Sequence, residues 1–371
     1  MRIVQIANFV HPTSGGLATA IAALRSEYQE MGHDVVELLP RTGIETFDNA
    51  HAGRRPLASM SLPRSGGYRV VVRRAEVRHL LEELRPDMVE LSDKTTLSWV
   101  PEWCRRHGIP TVLLSHERLD MLGDRVGGRM VGRVVTLLVD AARRRLATNA
   151  DVIVCASTFA AQEFQGSKRD VKVVPLGVDT RVFRPGPRRG DWGSPLHLGV
   201  CSRLSPEKGV DVAVEAFVRL QSKVPSRLTV LGDGPLRNEL VARTRGMNVE
   251  FLGHINNREE VARMLSGWDI TLNMGAVETF GLVTLESLAC GTPVVVASQG
   301  GSVDLVTPQV GGVSDAEPNA LVEEIVRMTG CSRPEMSSAA VRFARDYTWT
   351  RTASTILDVI DFHTKTHLMT G

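Results

Sequence analysis

The sequence predicts an α/β chain of two doubly wound domains, each a largely parallel sheet with helices on both faces. Three observations lead there. The chain has 371 residues, more than one ordinary hydrophobic core accommodates. Short, nearly continuous runs of Val, Ile and Leu alternate with helical patterns, as expected of strands covered on both faces. The stretch RVFRPGPRRGDWGSP at 181–195, rich in proline and glycine and without periodicity, interrupts the alternation, which then resumes.

In the first half, RIVQIA (2–7), DVVELLP (34–40), DMVELS (87–92), TVLLS (111–115), DVIVCA (151–156) and VKVVPL (171–176) read as strands. Amphipathic helices are expected over 16–31, 72–84 and 98–107, and Gly32 suits the C-terminal cap of the first. In the second half the strands are LHLGVCS (196–202), RLTVLG (227–232), NVEFLG (248–253), DITLNM (269–274) and PVVVAS (293–298). The expected domains are 1–180 and 181–350. Ligands of such sheets collect at the carboxyl ends of strands, so a cleft between two facing domains is the expected site.

Composition narrows the class. Hydrophobic residues at 43% and charged residues at 23% suit a water-soluble globular protein. A formal net charge of +2 gives no reason to expect a nucleic-acid partner. The five cysteines form no C-x-x-C pair and mostly sit in apolar runs, which suits free thiols in a reducing compartment. The opening MRIVQIANF lacks the apolar core and cleavage site of a signal peptide, and no apolar run is long enough to span a membrane. A cytoplasmic location is expected, with peripheral contact to the inner face of a membrane left open.

Four stretches carry chemistry. In AVETFGLVTLESLACGTPVV (276–295), Glu278 falls in the loop after a strand and Glu286 about one and a half turns inside the following helix. The amides of Gly281, Leu282 and Val283 lie between them at a helix N-terminus, which favours anions. Glu286 can accept hydrogen bonds from vicinal hydroxyls such as those of a ribose, and Glu278 from a second polyol beyond the phosphates. Hydroxyls, phosphates, hydroxyls is the pattern of a nucleotide-sugar. The plainer alternative makes both glutamates solvated. In VCSRLSPEKGVDVAVEAF (200–217), Arg203 and Lys208 follow the first strand of the second half, where two fixed cations would stabilise a departing diphosphate without a metal. In PTSGGLATA (12–20), Gly15 and Gly16 would let the backbone approach a ligand, although a tight strand–helix turn explains them equally well. The G-x-G-x-x-G dinucleotide fingerprint is missing, which weakens a dehydrogenase reading. In LLSHERLD (113–120), His116 follows a strand at the ligand edge. No Asp-x-Asp stands at a strand end, so no metal or other cofactor is expected.

Together, SGGLATA, PLGVD, SRLSPEKGVD, LGDGPLRNEL, FLGHI and ETFGLVTLESLACGTPVV make the chain resemble, over essentially its whole length, the retaining GT-B-fold glycosyltransferases of family GT4. LSDKTTL and SHERLD further resemble actinobacterial mannosyltransferases acting on phosphatidylinositol-mannoside or related glycolipid acceptors. The resemblance implies two Rossmann-like domains facing an interdomain cleft, with a last helix over 351–371 returning to the first. It implies that Arg203 and Lys208 bind the donor diphosphate, Glu286 the ribose and Glu278 the transferred sugar. Phe280, Gly281, Leu282 and Val283 would line the donor site, Gly15 and Gly16 would approach the distal phosphate, and Gly232 and Leu252 would lie near the base. His116 would contact the donor sugar and face the acceptor. Retention would proceed by same-face substitution, with orientation and electrostatics as the protein's contribution.

The acceptor side is less defined. Arg125, Arg129 and Arg133 recur every four residues beside an apolar stripe, and Asp93 joins them as an acceptor candidate. A basic stripe can hold an anionic acceptor or an anionic membrane, or simply be solvated. Mannose from GDP-mannose, moved to a hydroxyl of a glycolipid or small molecule, is the first reading. The alternatives are a UDP-sugar-dependent transferase acting on an aminocyclitol or sugar phosphate, a sugar-nucleotide 2-epimerase, and an inactive nucleotide-sugar-binding protein.

Overall fold

A computed structural model of the protein describes residues 1–10, 15–41, 53–61, 69–118, 129–167, 169–187 and 190–370. The chain forms two compact units, Met1–Pro175 with Trp349–Gly371, and Leu176–Thr348.

In the first unit the strands are β1 (Arg2–Ala7), β2 (Asp34–Pro40), β3 (Arg54–Leu57), β4 (Ser59–Ser61), β5 (Arg69–Val71), β6 (Met88–Ser92), β7 (Thr111–Ser115), β8 (Val152–Cys155) and β9 (Asp170–Val173). The helices are α1 (Gly16–Glu30), α2 (Arg74–Leu84), α3 (Val100–Arg106), α4 (Arg129–Asn149) and α5 (Thr158–Ala161). Among the described residues the main sheet runs β3-β2-β1-β6-β7-β8-β9, and every pairing is parallel. Val4, Ile6, Val89, Leu91, Leu113 and Ile153 pack on helix residues such as Leu81 and Leu146. Full burial of each such side chain contributes about 1.5–3 kcal/mol. Gly32 adopts a φ of +84° just past α1, where a left-handed residue lets the chain leave a helix.

In the second unit the strands are β10 (Leu196–Cys201), β11 (Ser226–Leu231), β12 (Val249–Gly253), β13 (Ile270–Asn273), β14 (Val294–Ala297) and β15 (Gly311–Ser314). The helices are α6 (Val210–Leu220), α7 (Arg237–Arg243), α8 (Arg258–Gly267), α9 (Leu282–Ala289), α10 (Pro318–Thr329) and α11 (Arg333–Ala344). The sheet order is β12-β11-β10-β13-β14-β15, again parallel throughout. Leu198, Val200, Leu228, Val230 and Leu272 form its core with Phe217, Leu220 and Ile325. The last helix, α12 (Trp349–Thr370), belongs to the first unit, where Ala353, Ile356 and Ile360 are buried and Thr352 Oγ1 donates to Pro175 O at 2.8 Å.

The expected apolar strands appear within a few residues of their predicted bounds. β3, β4, β5 and β15 were not expected, because RRPL, SMS, RVV and GGVS offer no apolar run of useful length. β3 and β15 lie at sheet edges and β4 pairs with β5 alone, so pairing with a neighbour rather than a long apolar run defines them.

Candidate active site

The order in which strands are added reverses in the second sheet between the parallel neighbours β10 and β13, so the connections leaving them go to opposite sides and open a crevice at their carboxyl ends. Arg203 and Lys208 lie on the first loop and Glu278 on the second.

After β10 the chain turns through Ser205, whose hydroxyl donates to Glu207 Oε1 at 2.5 Å. Lys208 N donates to Ser205 O at 3.0 Å, and the turn ends at Gly209 with a φ of +59°. A Cβ on Gly209 would lie 2.4 Å from Met274 O, so the loop can close on the end of β13 only with glycine there. That closure puts Lys208 beside the other loop: its Nζ lies 2.6 Å from Glu278 Oε2, with the two side chains 30% and 23% exposed. Arg203 is exposed, and its guanidinium has no ion-pair or hydrogen-bond partner among the described residues.

The second loop is pinned by backbone. Glu278 N donates to Gly275 O at 3.1 Å, and Gly301 N donates to Glu278 O at 2.6 Å. Phe280 is buried, and Gly281 follows with a φ of +91°. A Cβ on Gly281 would lie 2.1 Å from Ser302 Oγ, so a larger residue would push α9 off its seat. No side chain caps α9, whose first turn carries Leu282 and Val283. Glu286 lies one turn further and is 7% exposed. Burial pushes its carboxyl up to about 7, against the pull of the Arg258 guanidinium, whose Nη2 donates to Oε1 at 3.0 Å. The structure thus joins Lys208 to Glu278 and Glu286 to Arg258. Gly232, just past β11, donates its N–H to Gly253 O at 2.8 Å, which places it beside Leu252 on β12.

At the opposite, amino edge of this sheet a cavity of about 380 Å³ is lined by Gly193, His197, Arg227 and Asp269. There Asp269 pairs with Arg333 at 3.0 Å and accepts from His197 N at 2.8 Å. Both side chains are buried, so this pair is part of the framework.

In the first unit the order of strand addition reverses between β1 and β6. Gly15 and Gly16 are exposed at the start of α1, and a Cβ on Gly15 would meet nothing within 4 Å. Packing among the described residues therefore does not require glycine at Gly15. His116 follows β7, with Nε2 3.1 Å from Ser92 Oγ. Burial and the nearby Lys94 charge push its imidazole down to about 4, so the ring is neutral near pH 7. Lys94 is buried between Glu163, the carbonyl of Glu117 and Ser115 Oγ, the last at 3.1 Å. Asp93 is 3% exposed, and its carboxylate accepts from Thr95 N (2.9 Å), Thr95 Oγ1 (2.7 Å) and Leu97 N (2.9 Å). These bonds staple its own loop. Arg125 lies outside the described residues. Arg129 and Arg133 fall on α4, with side chains outside the described part.

Sequence reasoning missed Arg258 and Lys94. Arg258 had one local signal: Asn257 Oδ1 accepts from Glu259 N and Glu260 N, an N-cap that fixes the start of α8. Among the described residues no group of three or more His, Cys, Asp or Glu side chains could hold a metal ion, and no helix is long and apolar enough to cross a membrane.

Comparison with known proteins identifies the family. Residues 14–182 match the family described as "Glycosyltransferase Family 4", and residues 195–330 match "Glycosyl transferases group 1". The "GDP-mannose-dependent alpha-(1-6)-phosphatidylinositol dimannoside mannosyltransferase" of Mycobacterium tuberculosis (strain ATCC 25177 / H37Ra) is 40% identical over 96% of this chain and 95% of its own. The "GDP-mannose-dependent alpha-(1-6)-phosphatidylinositol monomannoside mannosyltransferase" of Mycolicibacterium smegmatis is 29% identical over 82% of each. Among solved structures, sucrose-phosphate synthase from Thermosynechococcus elongatus superposes with a TM-score of 0.78 at 19% identity, covering 96% of this chain and 98% of that one. Anabaena HepE in complex with UDP gives 0.75 at 18% identity, covering 97% and 100%. The chain therefore belongs to glycosyltransferase family 4, and it is a GT-B glycosyltransferase similar over nearly its whole length to mannosyltransferases described as GDP-mannose-dependent.

Proposed function

We propose that the protein is a retaining, metal-independent mannosyltransferase that moves mannose from GDP-mannose to a hydroxyl of a phosphatidylinositol-mannoside-type glycolipid. The observation that carries the donor half is the Lys208–Glu278 pair at the switch point of the second sheet, with Glu286 one helix further on. The names of the mycobacterial relatives support the choice of base, sugar and acceptor.

In this reading Arg203 and Lys208 take the diphosphate, Glu278 turns from Lys208 to the sugar hydroxyls, and Glu286 takes the ribose. Leu282 and Val283 amides supply further donors at the N-terminus of α9. In the first unit Gly15 and Gly16 serve the phosphates, and neutral His116 serves the sugar. The C1–phosphate oxygen bond breaks as the acceptor oxygen bonds C1 from the same face. The acceptor proton passes to the departing phosphate oxygen, giving a nucleoside diphosphate and the glycoside. Two fixed cations meet the charge that develops on the diphosphate, and this is the basis for metal independence. Peripheral contact with an anionic membrane fits a lipid acceptor.

The test is thermal unfolding with GDP, UDP or ADP in EDTA, each at about a hundred times Kd, where a bound ligand adds about 2.7 kcal/mol. Selective stabilisation by GDP is expected, followed by transfer of labelled mannose in EDTA. A response to UDP alone would replace the donor, no response to any would remove the donor site, and no transfer in EDTA would end metal independence. Conversion of the donor without acceptor would make the protein an epimerase.

A further inference from the structure

Glu286 is an expensive group to keep charged. Its side chain is 9% exposed, and its charge in turn helps to raise two nearby thiols, Cys201 at the end of β10 and Cys290 just past α9. Arg258 from α8 is the one cation acting on it, and no other titratable group among the described residues does so. Asn257 sets Arg258 at the first position of α8, and the guanidinium lies 4.9 Å from the ring of Phe183. That stack limits where the guanidinium can go, although its side chain is 41% exposed. Of the two Glu286 oxygens, Oε1 accepts from Arg258 Nη2, and Oε2 accepts no hydrogen bond among the described residues.

We infer that Arg258 is a positioning residue of the donor site: it pins Oε1 of Glu286, fixing the carboxylate plane so that the ionised Oε2 is presented to a ribose hydroxyl of the nucleotide. The inference rests on the proposed reading of Glu286 as the ribose carboxylate. Its chemistry is that of a buried carboxyl with one partner. Even with Arg258 in place, burial holds Glu286 at about 7. Without the guanidinium the carboxyl would hold its proton to higher pH, and a protonated carboxyl gives up the charge-assisted hydrogen bond to ribose. Donor affinity would then fall near neutral pH and return as pH rises.

The experiment is calorimetric titration of the full chain with GDP and with UDP near pH 6.5 and near pH 8.5, using wild type, Arg258→Ala, Arg258→Gln and Arg258→Lys. Arg258→Ala and Arg258→Gln should weaken binding about tenfold at the lower pH and by less than about threefold at the higher. Arg258→Lys should restore most of the affinity. Unchanged affinity in the Ala and Gln variants overturns the inference. So does a loss that is equal at both pH values and not rescued by lysine, because that describes a packing role. Any variant whose thermal unfolding differs from wild type is replaced in the comparison by the folded member of the Ala and Gln pair. Failure of wild type itself to bind either nucleotide overturns the donor-site reading, and the inference falls with it.

Discussion

Two lysine–glutamate pairs in this protein look alike on paper and are built for opposite ends. Lys94 and Glu163, in the first unit, are 5% and 0% exposed, and Lys94 also donates to Ser115 and to the Glu117 carbonyl. Lys208 and Glu278, in the second, are 30% and 23% exposed at the end of two diverging loops. The second pair is partly open to solvent, and the first is sealed from it. Two carboxylates repeat the contrast. Glu90 and Glu286 are both pushed up to about 7 by burial. Tyr28 and Gln5 occupy both oxygens of Glu90, each at 2.7 Å, whereas Glu286 has a partner on one oxygen. Complete satisfaction marks groups that hold the fold, and incomplete satisfaction marks groups held ready for something else.

The largest expected effect breaks the sealed pair. Lys94→Ala strands the Glu163 carboxylate in the interior and should cost about 3–5 kcal/mol in denaturant unfolding. Lys208→Ala should cost less than about 1 kcal/mol in the same experiment, since its pair is partly solvated. Equal losses would erase the distinction. Next, Arg203→Ala should lower kcat by about two to three orders of magnitude, or roughly 2.7–4 kcal/mol, without altering the unfolding curve. Transfer at the wild-type rate would remove Arg203 from the site. A pH-dependent effect concerns Glu90. Its folded-state carboxyl is raised, so the folded state binds more protons than the unfolded one between about 4.5 and about 7. That contribution is present below the lower value and is lost as pH rises through the upper one. Glu90→Gln should therefore flatten the fall in stability across this window, by up to about 3 kcal/mol. An unchanged slope would show that Glu90 titrates normally.

Much of the fold was legible because parallel strands buried on both faces leave continuous apolar runs, as RIVQIA and LHLGVC do. Edge strands such as GGVS were not, because a partner strand rather than local sequence makes them. The loops carrying Arg203, Lys208 and Glu278 could be read because chemistry concentrates after strands. Arg258 could not, since its carboxylate partner lies 28 positions away and periodicity carries no record of that contact. Asp93 is buried, and its carboxylate accepts from Thr95 and Leu97 in its own loop, a detail of backbone geometry that residue type does not encode.

The contact between Gly209 and the Met274 carbonyl has a consequence for anyone who would trade parts between relatives of this protein. The segments after β10 and after β13 are some seventy positions apart in the chain, as the Lys208–Glu278 pair records, but they behave as one mechanical piece. Replacing either alone would set a foreign turn against a backbone it was not shaped for. Chimeras built to alter donor preference should exchange both segments or neither.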